Sequence, residues 1–311
     1  MSEQKSINFM GEPLRRNLMM LSLALTIACF VCFAVKGFHF GLDFTGGTSI
    51  ELHYEQAPVL DEVRETLVSA GYPSAVVINF GGPNDIMVRV QSAEADEHLA
   101  KNLTEVLRKA SAANKITEKQ SGYVGPHVGE ELLNAGGLGL LMALFGVFLL
   151  VAMRFQMKFA AGSILALIHD VVLTLGVFSL FQLDFDLTVL AAILTIIGFS
   201  INDSIVVADR IRENLRTMRD IPVKEVINIS ITQTLDRTLM TSGTAIISVL
   251  AMFFFGGDVI HNFSLALIFG MTVGTYSSVY VASGLLVTLN VTREDLVPTE
   301  RARGEEVDEM P

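Results

Sequence analysis

The sequence predicts a polytopic α-helical membrane protein, with six transmembrane helices and an α+β ferredoxin-like domain inserted between the first and the second. Three observations support this fold class. Apolar residues make up 51% of the 311 residues, more than is usual for a soluble domain. Six segments of low charge are each close to the length of a membrane-spanning helix. Between the first two of them, residues 38–130 combine mixed charge with alternating apolar positions.

The first span is predicted at residues 17–37, after a polar N-terminus at 1–16 that ends in Arg15 and Arg16. Positive flanking charge holds this end of the helix in the cytoplasm, so the chain emerges on the outer side. Both cysteines of the chain lie inside this apolar run, so they indicate neither a disulfide framework nor a four-ligand metal site.

Residues 38–130 are therefore predicted to form a periplasmic domain. The alternation of apolar and polar residues, interrupted by glycine and proline, predicts strands and amphipathic helices. The elements are predicted at about 48–55 (strand), 59–70 (helix), 75–80 and 85–90 (strands joined by a turn), 93–110 (helix) and 115–123 (strand). This β-α-β-β-α-β order is the split arrangement of a ferredoxin-like domain.

Residues 131–292 are predicted to hold the other five spans. They lie at about 132–153, 159–180, 187–208, 238–256 and 264–289. Lysine and arginine occur in the loops after the second and fourth spans and are absent from the other two loops, which predicts a multi-pass protein with both termini in the cytoplasm. The charged stretch 209–219 is predicted to form a helix on the cytoplasmic surface, and the acidic tail 293–311 to be solvated in the cytoplasm.

Asp203 is the only ionisable side chain between Leu187 and Ala208, and the polar Asn202 stands beside it. Because a carboxyl group in hydrocarbon is costly, an acid within a span is a candidate functional site. The alternative is that Asp203 reaches water near the cytoplasmic end of its helix.

His169 and Asp170 lie about 15 Å along the third predicted span, close to the middle of the bilayer. Histidine titrates near physiological pH, which suits a proton relay. The alternative is that the two side chains only form hydrogen bonds to neighbouring helices.

Arg237 stands at the predicted cytoplasmic start of the fifth span, where it could pair with Asp203. Thr241, Thr244 and Ser248 follow at helical spacing and form a polar stripe. The stripe could hold water for a proton relay, or it could be a seam of hydrogen bonds between helices. Four residues of the outer loops are predicted to be only solvated: Asp184, Asp186, Asp258 and His261.

Residues 40–48, Phe-Gly-Leu-Asp-Phe-Thr-Gly-Gly-Thr, resemble the signature that opens the large periplasmic region in the SecD/SecF family. Glycines are also typical of phosphate-binding loops, but in those a lysine follows, and none follows here. We therefore interpret the segment as a tight turn between membrane and domain. Its candidate positions are Gly41, Asp43, Thr45, Gly46 and Gly47. Four further stretches are similar to SecF members of that family: 169–170, 200–214, 233–242 and 276–282. The resemblance covers about residues 14–282.

This resemblance implies an auxiliary, non-enzymatic subunit of the bacterial Sec translocon in the inner membrane. Such a subunit works with SecD and draws on the proton gradient to complete the export of secretory preproteins. By the same resemblance, further partners are the SecYEG channel, SecA and YajC. We expect no nucleic acid, cofactor or metal to bind. The candidate proton-coupling residues are Asp203, Arg237, Asn202, His169 and Asp170. One departure from the family's pattern is an acid, Asp236, directly before the arginine.

Two other function classes are open at this point. SecD and SecF are each similar to half of a resistance-nodulation-division transporter, so the chain could be a half-subunit of a small-molecule or lipid transporter. An intramembrane hydrolase is disfavoured, because the sequence contains neither a His-Glu-x-x-His pair nor a Gly-x-Ser-x-Gly elbow. Co-purification with SecD and the channel would favour export, and drug efflux without an export defect would favour the transporter.

Overall fold

Six long apolar helices and one small antiparallel sheet make up the computed structural model, which describes residues 8–80, 82–91, 98–111, 114–293 and 295. In chain order, the elements are α1 (Glu12–Lys36), β1 (His39–Phe40), α2 (Leu42–Thr45), β2 (Gly47–Tyr54), α3 (Leu60–Ser69), β3 (Val76–Asn79), β4 (Asp85–Val90), α4 (Leu99–Ala110), β5 (Ile116–Val124), α5 (Pro126–Arg154), α6 (Met157–Phe181), β6 (Asp184–Phe185), α7 (Leu187–Thr217), α8 (Val223–Phe255), α9 (His261–Ser277) and α10 (Ser283–Thr288). A 3₁₀ turn, Asp258–Ile260, precedes α9, and a π-helical segment, Ser278–Ala282, joins α9 to α10.

The six predicted spans are confirmed as helices that are long and apolar enough to cross a membrane: α1, α5, α6, α7, α8 and the run from Asp258 to Thr288. They differ in position within the bundle. The most apolar windows of α6, α7 and the last run are 61%, 50% and 56% buried, whereas those of α1, α5 and α8 are 6%, 6% and 17% buried. The three central helices thus form the interior, and the other three present apolar side chains to their surroundings.

The sheet domain, β2 to β5 with α3 and α4, has the predicted β-α-β-β-α-β element order. Its four strands are all antiparallel, in the order β3-β4-β2-β5. Buried and half-buried residues alternate along β2, which gives the sheet one covered face. Ile50 and Leu52 on that face pack with Leu67 of α3 and Leu103 of α4, so both helices cover the same side.

The helices on either side of the loop at 218–222 are longer than the predicted spans. The predicted surface helix at 209–219 is wrong as a separate element, because α7 continues without a break to Thr217. Likewise, α8 begins at Val223. The extensions are held together by buried apolar contacts, among them Ile211 and Leu215 with Val226.

Four predicted segments lie partly outside the described residues. They are the N-terminus at 1–16, the turn at 81–84, the helix at 93–110 and the tail at 293–311.

The segment after α1 joins the sheet domain to the bundle. β1 pairs in parallel with β6, so that His39 lies opposite Asp184 and Phe40 opposite Phe185. Five phenylalanines around this pair have ring centroids within 6.4 Å of a neighbour: Phe38, Phe40, Phe44, Phe178 and Phe185. These contacts hold the signature segment 40–48 against the start of α7.

Candidate functional site

Asp170, on α6, lies at the centre of the bundle and is 0% exposed. Its Oδ2 accepts hydrogen bonds from Ser200 Oγ of α7 at 2.5 Å and from Ser277 Oγ of α9 at 2.7 Å. Its Oδ1 lies 3.0 Å from Nδ1 of the adjacent His169. Three central helices therefore meet at one carboxyl group.

His169 is 6% exposed and connects this carboxyl group to α1. Its ring lies beside that of Tyr276, at a centroid distance of 6.5 Å. The Tyr276 hydroxyl in turn lies 2.8 Å from Ser22 Oγ and donates to the Leu18 carbonyl at 3.0 Å. The Nε2 atom of His169 has no hydrogen-bond partner among the described residues.

Small residues and an irregular helix allow this close approach. A Cβ atom on Gly274 would lie 3.3 Å from Ser200 Cβ and 3.6 Å from Asp170 Oδ2, so glycine leaves room for α7 and α6. The π-helical segment begins one residue after Ser277, and Ser283 Oγ donates to the Ser278 carbonyl five residues earlier. Such π segments occur frequently at functional sites.

Asp203, on α7, is 4% exposed and is held much more loosely. Its only side-chain partner among the described residues is Ser242 of α8, whose Oγ lies 3.4 Å from Oδ2. The Ser242 hydroxyl also accepts from Thr275 of α9 at 2.8 Å. One residue further along α7, Ser204 Oγ lies 3.1 Å from Ser278 Oγ.

The hydrogen-bonded clusters of the two carboxyl groups both include residues of α7 and of the last span. Ser200 and Asp203 are three residues apart on α7 and therefore on the same face, and Ser277 and Ser278 are adjacent in the last span. Among the described residues, no lysine or arginine nitrogen lies within 4.0 Å of either carboxyl group. A hydroxyl can donate to an ionised carboxylate or accept from a protonated one, so this polar layer can accommodate both states.

The predicted pair of Asp203 and Arg237 is not an ion pair in this structure. Arg237 is exposed on α8, about four turns after the helix begins. Asn202 and Asp236 are also exposed. Asp203 itself does not reach water, so the simple solvation alternative is wrong for this conformation.

The polar stripe on α8 forms no hydrogen bonds to other helices among the described residues. Thr241, Thr244 and Ser248 each donate to the carbonyl four residues earlier in α8, at 2.8, 2.9 and 3.0 Å. Thr244 and Ser248 are exposed. The stripe is thus an outward-facing polar strip on the bundle, not a seam within it.

The signature segment is a tight turn that caps the start of α7. Gly46 and Gly47 have φ angles of +75° and +145°, and a Cβ atom on Gly47 would clash with the Val90 carbonyl oxygen. Asp43 Oδ2 accepts a hydrogen bond from the Leu187 amide at 3.1 Å. Gly41 N donates to the Phe185 carbonyl, and Thr45 Oγ1 donates to the Gly41 carbonyl. The turn therefore holds the N-terminus of the helix that carries Asp203.

Three acids that were predicted to be only solvated prove structural. Asp186 is 8% exposed and caps α7 by accepting from the Val189 amide at 3.0 Å. Asp184 lies 2.7 Å from His39 of the joining strand β1. Asp258 accepts from the Asn79 amide of β3 at 2.9 Å and so connects the bundle to the sheet domain. An Asp directly before an apolar run is a recognisable N-cap signal for the first of these.

Ser200 and Ser277 lie within the stretches 200–214 and 276–282, which resemble the family. Their spacing along the sequence does not predict that both form hydrogen bonds to Asp170. No cluster of three metal-ligating side chains occurs in the part of the chain that the structure describes.

Comparisons with known proteins agree along the chain. A family model described as "Protein export membrane protein SecD/SecF, C-terminal" matches residues 103–292, and one described as "SecD/SecF GG Motif" matches residues 33–58. The protein translocase subunit SecF of Pseudomonas aeruginosa is 50% identical over 295 residues, which cover 95% of each chain. The subunit of the same name from Vibrio alginolyticus is 43% identical, over 99% of this chain and 98% of the relative.

The chain belongs to the SecF group of the SecD/SecF family. The resemblance inferred from the motifs is thereby confirmed. Together with the six apolar helices, this membership makes the chain a multi-pass protein of the bacterial inner membrane.

Solved SecDF structures show the same architecture. The chain is similar to SecDF from Thermus thermophilus, which is described as a translocon-associated membrane protein, with a TM-score of 0.79 and 40% identity. A second SecDF structure, in a form called super-membrane-facing, gives a TM-score of 0.70. Each match covers 92% of this chain and 39% of the SecDF chain. This chain therefore spans less than half the length of SecDF.

Proposed function

We propose that this SecF-family chain is an auxiliary, non-enzymatic subunit of the bacterial Sec translocon, which works with SecD and uses the proton gradient to drive late stages of protein export. One observation carries the proton-coupling part. Asp170 and Asp203 are buried beside hydroxyl groups, and no lysine or arginine nitrogen of the described residues lies within 4.0 Å of either carboxyl group.

Asp203 is the better candidate for the group that changes its protonation. Asp170 has short hydrogen bonds from two helices, so a change in its charge would disturb three packed elements at once. Asp203 has one long contact to α8, and Arg237 on that helix is unpaired among the described residues. A small shift of α8 could bring Arg237 to the carboxylate when Asp203 is ionised and release it when Asp203 is protonated.

Helix α7 is the proposed link between this site and the sheet domain. Its N-terminus is capped by Asp186 and held by Asp43 of the signature turn. Because a helix is stiff, a displacement of α7 near Asp203 would be felt at this turn, about 24 Å away at 1.5 Å per residue. The sheet domain would then move relative to the membrane as protons are taken up and released.

The orientation that fits this role has both termini in the cytoplasm and the sheet domain in the periplasm, where it would contact secretory preproteins. The distribution of lysine and arginine among the loops supports it. SecD is the proposed partner within the membrane, since Asn202, Arg237 and Thr244 are exposed on helices that would otherwise present polar groups to lipid. SecYEG, SecA and YajC are proposed as further partners by family resemblance.

The test is gradient-dependent release of a secretory protein from inverted vesicles that contain the chain and SecD. Asp203→Asn should leave the protein folded and assembled but unable to use the gradient, because the amide cannot take up and release a proton. Asp209→Asn is the matched control, since Asp209 lies on the same helix but is exposed near its end. We expect release with Asp209→Asn to equal that of the unmodified chain. Unchanged release with Asp203→Asn would refute the coupling role.

Arg237 provides the finer probe of the same step. Arg237→Ala should abolish gradient-dependent release, because the ionised carboxylate loses the cation that it needs in the shifted state. Arg237→Lys keeps the charge but not the planar fork, so partial release would indicate a field effect and complete loss a bidentate pair. Full activity of Arg237→Ala, with assembly verified by co-purification of SecD, would exclude the arginine from the mechanism.

The transporter alternative has weaker support. Both matching family models belong to SecD/SecF, and the relatives named above are translocase subunits. Drug efflux by the chain without any effect on export would nevertheless overturn the proposal.

A further inference from the structure

A cavity of about 510 Å³ lies between α1, α6 and the end of the last span, outside the two carboxyl clusters. Its walls are mostly apolar side chains, and two arginines stand at one end. The lining residues are Arg15, Arg16, Met19, Met20, Ser22, Leu23, Thr26, Leu165, Ile168, His169, Val281, Leu285 and Thr288. Met20, Leu23 and Leu165 are 53%, 61% and 48% exposed, so the cavity is open sideways, towards the hydrocarbon of the bilayer.

Among the described residues, no acid compensates the positive charge at the arginine end of the cavity. No carboxylate lines the cavity, and neither arginine forms an ion pair within the described chain. Arg15 donates from Nη1 to Thr288 Oγ1 at 3.1 Å, but its Nε is buried without a partner. Glu12, the nearest acid along α1, lies 3.9 Å from Lys224 instead. Two guanidinium groups without an acidic partner among the described residues are suited to bind an anion such as phosphate, through paired N–H groups.

The dimensions fit one leaflet of a membrane. From Arg15 to Thr26, α1 rises about 16 Å at 1.5 Å per residue, roughly half the ~30 Å thickness of the hydrocarbon core. An anionic head group at the arginines would thus place an acyl chain along the apolar walls, with its end near the bilayer middle. Basic pockets between transmembrane helices bind anionic lipid head groups on the cytoplasmic side, the side to which Arg15 and Arg16 are assigned.

We propose that this cavity is a binding site for one anionic phospholipid of the cytoplasmic leaflet. Arg15 and Arg16 hold its phosphate, and one acyl chain fills the groove between α1 and α6. The acyl chain closes the opening beside His169, which lines the cavity, and so keeps water away from the Asp170 cluster on this side. Lipid binding does not require that the carboxyl groups carry protons, so this proposal and the export proposal can fail separately.

The test is native mass spectrometry of the full chain, released from detergent after incubation with equal amounts of phosphatidylglycerol and phosphatidylcholine that carry the same acyl chains. We expect one retained phosphatidylglycerol per chain. The double variant Arg15→Gln/Arg16→Gln should lower its retention about tenfold or more, as expected for lost charge-assisted hydrogen bonds. The matched control Arg216→Gln/Arg219→Gln removes two exposed cytoplasmic charges outside the cavity and should retain the lipid.

A second variant keeps the charges and removes the space. Leu165→Trp should exclude the acyl chain and lower lipid retention while both arginines remain, which guards against misfolding or inverted insertion of the arginine variant. Equal retention of the two lipids, or retention that survives either cavity variant, would overturn the proposal. If phosphatidylglycerol binds only to a chain that ends at Leu296, the acidic tail occupies the arginines in the full chain and the proposal is wrong.

Discussion

Asp170 and Asp203 are both buried acids in neighbouring helices, yet their surroundings differ. Asp170 is 0% exposed and receives short hydrogen bonds from Ser200 and Ser277, whereas Asp203 has one contact of 3.4 Å to Ser242. The first region has the dense polar packing of a structural junction. The second has a loosely held carboxyl group beside an exposed strip on α8. The difference suggests that Asp170 fixes the helices and that Asp203 changes partners.

The largest expected effect on stability separates these two roles. Asp170→Ala should lower the free energy of unfolding by about 2–4 kcal/mol, because buried donors on two other helices lose their acceptor. Asp203→Ala should change it by less than about 1 kcal/mol, because only one long hydrogen bond is lost. Unfolding of the purified protein in detergent, followed by circular dichroism, measures both. Equal destabilisation would remove the distinction.

The hydroxyl partners provide a smaller contrast of the same kind. Ser277→Ala removes a 2.7 Å hydrogen bond to Asp170 and should cost about 1–2 kcal/mol. Ser242→Ala should cost less than about 0.5 kcal/mol, since Thr275 keeps its second acceptor, the Met271 carbonyl at 2.9 Å. The same unfolding experiment applies. A larger loss for Ser242→Ala would show that the Asp203 region is the more tightly packed one.

Two glycines test the packing around each acid. Gly274→Ala places a methyl group 3.3 Å from Ser200 Cβ, so α9 or α7 must shift, at a cost of about 1 kcal/mol. Gly243, next to Ser242, has open space where the methyl group of an alanine would lie, and Gly243→Ala should be neutral or slightly stabilising through helix propensity. Thermal midpoints of the two variants in one detergent give the comparison, and similar midpoints would contradict it.

The smallest effect concerns Asp85 in the sheet domain, which has two side-chain partners, Lys119 and His53. Hydrogen bonds from Lys119 at 2.7 Å and His53 at 2.6 Å lower the pKa of Asp85 below its ordinary value. The stability that this carboxylate contributes is therefore present above its ordinary pKa and is lost as the pH falls through the lowered one. Asp85→Asn should make the thermal midpoint less sensitive to pH below about 5.

Asp61→Asn is the matched control for Asp85, because Asp61 is a mostly exposed acid of the same domain. We expect the control to keep the pH sensitivity of the unmodified chain. If both variants lose it equally, the contacts with Lys119 and His53 are not its source.

The sequence by itself determined the spans, the sheet domain's element order and the family, because each depends on local or contiguous information. A long run of apolar residues predicts a membrane span whichever helices pack beside it. The alternation along 47–54 predicts a strand with one buried face. The signature at 40–48 is a continuous stretch of sequence and can be recognised without the fold. Asp203 and Asp170 also stand out in the sequence, since an acid in an apolar run is costly in any fold, and the structure buries both.

Only the tertiary structure decided which side chains meet. Asp170 joins serines that are 30 and 107 residues away in the chain, and no periodicity encodes such pairs. Asp186 was expected to be solvated because it lies in an outer loop, but it caps α7, lies against Gly41 and is 8% exposed. The sequence left it open that Arg237 could pair with Asp203, and in the structure Arg237 is exposed on α8. Side-chain partners depend on how helices are rotated and packed, and that arrangement is a property of the whole bundle.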